Sequence, residues 1–99
     1  MNDDDGFEFA PPPFDAAQGL LQLKRSLRDL KLSERGVGFE MRGKRVAELE
    51  TDGTVIRARL ARRLALTPEW DRVEIKCATD QRKLVDDLKK RLERWERDE

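Results

Sequence analysis

Between Gly36 and Leu60 the chain reads GVGFEMRGKRVAELETDGTVIRARL, and its side chains alternate in character through three short runs. Val37, Phe39 and Met41 alternate with Gly38, Glu40 and Arg42. Ala47, Leu49 and Thr51 alternate with Glu48 and Glu50, and Thr54, Ile56, Ala58 and Leu60 with Val55, Arg57 and Arg59. A period of two puts one set on each face of a pleated strand, the pattern of an antiparallel sheet with one wet face.

The breaks between the runs set the pairing. Asp52-Gly53 predicts a two-residue type I′ turn, whose central positions both need positive φ. That turn sets Thr51 against Thr54, Leu49 against Ile56 and Ala47 against Ala58 on one face, with Glu48 opposite Arg57 on the other. In the first hairpin, a two-residue Gly43-Lys44 turn would oppose Phe39 to Glu48. A three-residue loop, Gly43-Lys44-Arg45, instead gives Met41 with Ala47 and Phe39 with Leu49. Burying a large apolar side chain contributes about 1.5–3 kcal/mol, which favours that loop or a bulge near Val46. Residues 56–66 (IRARLARRLAL) also suit a helix by propensity. The tight turn before them decides for a strand.

Helical spacing flanks this region. Asp15 is placed as an N-cap with Gln18 three residues on, and Ala16, Leu20, Leu23, Leu27 and Leu30 form one apolar stripe. Gly36 predicts the stop of this helix near residues 33–36. Thr67-Pro68-Glu69 predicts a single helical turn, with Leu64, Leu66 and Trp70 packed across a core edge. Residues 72–77 resume alternation, with Val73, Ile75 and Cys77 inward. Thr79 or Asp80 then caps a last helix running to about Arg97, with Leu84, Val85, Leu88, Leu92 and Trp95 as its stripe. The expected fold is α+β: a two-layer sandwich with the N- and C-terminal helices on one face of a three- to four-stranded antiparallel sheet. One domain, residues 14–97, accommodates it.

Composition enters as a limit on function. The 99 residues carry 21 basic and 21 acidic groups, so no global charge draws the chain to nucleic acid or membrane. The distribution is uneven. Asp3, Asp4, Asp5, Glu8 and Asp15 precede any basic residue, and the excess of base falls between Lys24 and Arg63. Residues 1–13 (MNDDDGFEFAPPP) read as an acidic, proline-rich tail, expected to be disordered and carrying Phe7 and Phe9 as candidate partner-binding aromatics. No apolar run approaches the roughly 18–20 residues that span a bilayer. One cysteine and no histidine fit a reducing compartment, with the cytoplasm as the expectation.

No reaction chemistry is legible. Zinc and copper sites need convergent histidine or cysteine, and an activated serine needs a base beside it. Phosphate-cradling glycine loops are absent. No enzyme activity, cofactor or metal is therefore expected. The expected function is a small non-enzymatic protein-interaction domain, an adaptor or accessory unit, whose partner is another protein or a second copy of itself. The alternative is a nucleic-acid-binding module using a basic strip of Arg42, Arg57, Arg59, Arg62 and Arg63, with the acidic tail as internal competitor. With both tryptophans and Phe39 assigned to the core, that strip lacks aromatics for base stacking.

Overall fold

Phe39, Leu49, Ile56 and Leu60 are all but sealed from solvent, and they are residues that strand parity directs inward. The structure is a computed structural model and describes residues 14–97. Its elements, in order, are α1 (Ala16–Asp29), β1 (Ser33–Arg35), β2 (Gly38–Met41), β3 (Lys44–Thr51), β4 (Ile56–Ala61), β5 (Trp70–Ile75) and α2 (Ala78–Arg97). The five strands form one antiparallel sheet in sequential order, β1-β2-β3-β4-β5. Both helices pack against it. Leu23 and Leu27 of α1 and Leu84, Leu88, Leu92 and Trp95 of α2 close a single core with the inward strand residues. Each large side chain buried this way contributes about 1.5–3 kcal/mol. The α+β sandwich expected from the sequence is thus observed, with one more strand.

That extra strand exists because α1 stops early. The helix ends at Leu30, where Lys31 takes φ +70° and its N–H donates to the Arg28 carbonyl at 2.9 Å. The Leu32 N–H reaches back to the Leu27 carbonyl at 3.3 Å, which completes a Schellman motif with Leu32 buried behind it. Gly36, expected to end the helix, serves the β1–β2 turn instead. In that turn Val37, expected inward, is 41% exposed.

Both hairpins differ from expectation in their turns while keeping their faces. Asp52-Gly53 is not a two-residue turn: Thr51 pairs with Ile56, Leu49 with Ala58 and Ala47 with Leu60. The loop is held by side chains. Asp52 Oδ1 accepts from the Thr54 N–H (2.9 Å), the Thr54 hydroxyl (2.7 Å) and the Val55 N–H (3.2 Å), while the Thr51 hydroxyl donates to the Val55 carbonyl at 2.7 Å. An acidic side chain that satisfies its own loop's donors competes with the tight turn and wins. In the first hairpin the turn is Arg42-Gly43, with φ of 55° and 79°, so Met41 pairs with Lys44 and Phe39 with Ala47. Val46 is the extra residue of a bulge, and it and Ala47 are both buried.

Three expectations near the C-terminal half are corrected. The fourth expected strand lies at Trp70–Ile75 rather than 72–77, so Cys77 falls outside it and is exposed. Residues 62–69 contain no helical turn, and Leu66 is 83% exposed. The last helix begins at Ala78, and Asp80 sits in its first turn, accepting from the Lys76 N–H at 3.0 Å.

Candidate functional site

With α1 and α2 on one side of the sheet, the side chains of opposite parity face away from them. On β3 these are Glu48 and Glu50, on β4 Arg57 and Arg59, and on β5 Trp70, Arg72 and Glu74. The registers align them in rows across the strands. Glu48, Arg59 and Arg72 form one row, and Glu50, Arg57 and Glu74 the next. The six line an open trough of about 400 Å³.

Glu48 anchors the first row. Its side chain is only 12% exposed, Arg45 Nη1 donates to Oε2 at 2.7 Å, and the Arg59 guanidinium contacts Oε1. Gly38, opposite Glu48 on β2, makes room for this: a Cβ there would lie 2.7 Å from the Arg45 guanidinium carbon. Arg45 also donates to the Arg35 carbonyl at 3.3 Å. Arg59 in turn lies over the Trp70 ring, 5.8 Å from its centroid, in cation–π range. In the second row Arg57 pairs with Asp52 at 2.9 Å, and Lys76 pairs with Glu74 at 3.3 Å. Among the described residues Arg72 and Glu50 have no ion-pair partner.

The basic strip expected from the sequence is not one surface. Arg57 and Arg59 share the bare face. Arg62 turns to Asp71 (2.7 Å), which also holds Arg91 of α2 at 2.9 Å. Arg91 pairs with Asp87 and donates to the Ala61 carbonyl at 3.0 Å, so this cluster fastens α2 to the end of the sheet. Arg62 first, then Arg91, hold the Asp71 carboxyl below the usual carboxylate range. Arg63 is exposed in the connection after β4, and Arg42 sits in the β2–β3 turn. Lys24 and Arg28 of α1 both pair with Glu34 of β1, at 3.4 and 2.8 Å.

Sequence reasoning missed Arg45, Arg72 and Trp70 as members of this face. Trp70, assigned to the core, packs partly against it, but its ring takes Arg59 on the outer side. Its place two residues before Arg72 in an alternating strand is the signal that finds it. Phe7 and Phe9 lie outside the described residues. Among the described residues no group of three or more His, Cys, Asp or Glu is placed to hold a metal ion. No helix there is long and apolar enough to cross a membrane. No family model matches the chain, and neither a curated protein nor a solved structure does.

Proposed function

We propose that this chain is a small non-enzymatic interaction domain, an adaptor or accessory unit, that binds a partner protein on the bare face of its sheet. The observation that carries this is the pair of charge rows around an open trough, on the side of the sheet opposite both helices. Arg72 and Glu50 offer opposite charges to a partner's surface, and the mixed signs favour protein over a polyanion, which would meet Glu48, Glu50 and Glu74. Phe7 and Phe9 serve the same partner in this reading. The single cysteine fits work in the reducing cytoplasm. The test is cross-linking in the source cell, identification of the captured protein, and titration with that protein purified. Charge reversal of both Glu50→Arg and Arg57→Glu should weaken binding at least roughly tenfold, while Arg63→Glu leaves it unchanged. Equal affinities for all three proteins would remove the proposal.

A second reading rests on the Arg59–Trp70 stack beside Arg72: a single-stranded nucleic acid laid across β4 and β5, one base stacked on the indole. The acidic tail then competes for the arginines. Titration with an oligothymidine should quench tryptophan fluorescence, with affinity falling as salt rises and increasing when Asp3, Asp4 and Asp5 are changed to Asn. An unquenched spectrum at low salt excludes it.

A further inference from the structure

The sheet ends on β5, and its open edge is specified in more detail than an edge needs to be. The Arg62 N–H donates to the Glu69 carbonyl at 2.9 Å, which extends the β4–β5 register by one pair and marks it as a narrow, hydrogen-bonded pair. Stepping by twos, Leu60/Asp71, Ala58/Val73 and Ile56/Ile75 are then the other narrow pairs. The main-chain groups of Trp70, Arg72 and Glu74 therefore point away from β4. Among the described residues no other element hydrogen-bonds to them. Natural edges are blunted by shortness, bulges, proline, covering loops or charged side chains. The outward charges of β5, Arg72 and Glu74, are of opposite sign and so repel only a partner strand in the wrong register. The β1 edge is three residues long, whereas β5 is six, unbroken in register, and free of Pro and Gly.

We propose that two copies of the chain pair antiparallel through β5, with Val73 on the two-fold axis. Two-fold pairing needs residues of like main-chain orientation opposite each other, so the axis falls on a residue. On Trp70 it sets Arg72 against Pro68, which has no N–H, and on Asp71 it opposes two carboxylates. On Ile75 it sets Glu74 against Lys76, whose N–H is already donated to Asp80. That leaves Arg72, Val73 and Glu74 as positions for the axis. On Arg72 it sets that arginine against its own copy. On Glu74 it opposes two glutamates and sets Arg72 against Lys76. On Val73 alone, each Arg72 faces the other copy's Glu74, and each such pair exchanges two main-chain hydrogen bonds. The ladder stops at Lys76, whose N–H is already donated to Asp80. Arg72, without an ion-pair partner among the described residues, gains one. Both helix layers lie on the same side of the joined sheet, and the two bare faces merge into one.

The test uses the full chain and sedimentation equilibrium. Wild-type protein should dimerise. Arg72→Glu opposes two carboxylates at each end of the seam and Glu74→Arg opposes two guanidinium groups. Each should weaken the dimer at least roughly tenfold while circular dichroism shows both variants folded. Mixed in equal amounts, the two variants complement each other and should form a heterodimer, and the double variant with both substitutions should dimerise as wild type does. A wild type monomeric at millimolar concentration overturns the proposal. So does a dimer indifferent to either single change, or a mixture that stays monomeric. Arg72 and Glu74 belong to both the seam and the bare face, so the two readings are separated by the readout. Self-association of the purified chain alone reports the seam. Titration of the Glu50 and Arg57 variants with the partner reports the partner-binding face, and those variants leave the seam residues unchanged.

Discussion

Glu48 is where the bare face is held together at the scale of single residues. It pairs with both Arg45 and Arg59, and Arg59 is thereby kept over Trp70. Glu48→Ala removes the carboxylate from both guanidinium groups and leaves Arg45 only the Arg35 carbonyl. Since these are about two-fifths exposed and rehydrate, the expected cost is about 1–2 kcal/mol by urea denaturation, with a change in Trp70 emission. An unchanged midpoint and spectrum would mean the cluster is incidental. Asp52 gives a second prediction, in pH. The Thr54 N–H first, then its hydroxyl and the Val55 N–H, hold the Asp52 carboxyl well below the usual carboxylate range. Its folded pKa is thus depressed, so its stabilisation is fully present above the unfolded value of about 3.9 and is lost as pH falls toward the folded one. Asp71 behaves alike, through Arg62 and Arg91. Urea midpoints should be flat from neutral pH down to about pH 5 and fall below about pH 4, and Asp52→Asn should make that fall shallower. An acid limb of the same steepness in the variant contradicts the assignment.

Among the elements, turns and helix ends carry the differences between expectation and structure. Lys31 holds a left-handed conformation at the end of α1, a position that favours glycine. Lys31→Gly should therefore raise stability by about 0.5–2 kcal/mol, read as a higher urea midpoint. A fall would mean the lysine side chain holds this end by a contact that outweighs its backbone strain. The sequence hides this stop because the residue there is a lysine, and its one trace is Leu32, an apolar side chain that leaves the helical stripe. The strands were more legible. The register across β3 and β4 is two residues from that of a tight Asp52-Gly53 turn, yet an even shift leaves every side chain on its face. Parity therefore places Leu49, Ile56 and Ala58 inward, and Glu48, Arg57 and Arg59 outward, whichever turn forms. Cross-strand partners do depend on the turn, so Glu48 meets Arg59 rather than Arg57. The candidate site was legible only as far as this parity reaches. Arg57 and Arg59 were found. Arg45 reaches this face through the bulge at Val46, which the sequence offered only as an alternative to a longer loop, and Trp70 through a strand that starts two residues earlier than expected.

For the whole molecule, the governing fact is asymmetry: one face of the sheet carries the two helices, and the other presents rows of opposite charge. Cutting the core is expected to unfold the domain as a unit. Phe39→Ala, at a fully buried centre, should cost about 3–5 kcal/mol by urea denaturation. A loss under about 1 kcal/mol would place Phe39 outside a cooperative core. The two-faced arrangement itself is open to thiol labelling. In a Cys77→Ser background, single cysteines replace Arg57 and Glu50 on the bare face, and Ala58 and Leu49 beneath the helices. The two outer thiols should react at the rate of a free peptide, and the two inner ones only as fast as the domain unfolds. Rapid labelling at position 58, or protection at position 57 in the isolated protein, would contradict the one-sided sheet directly.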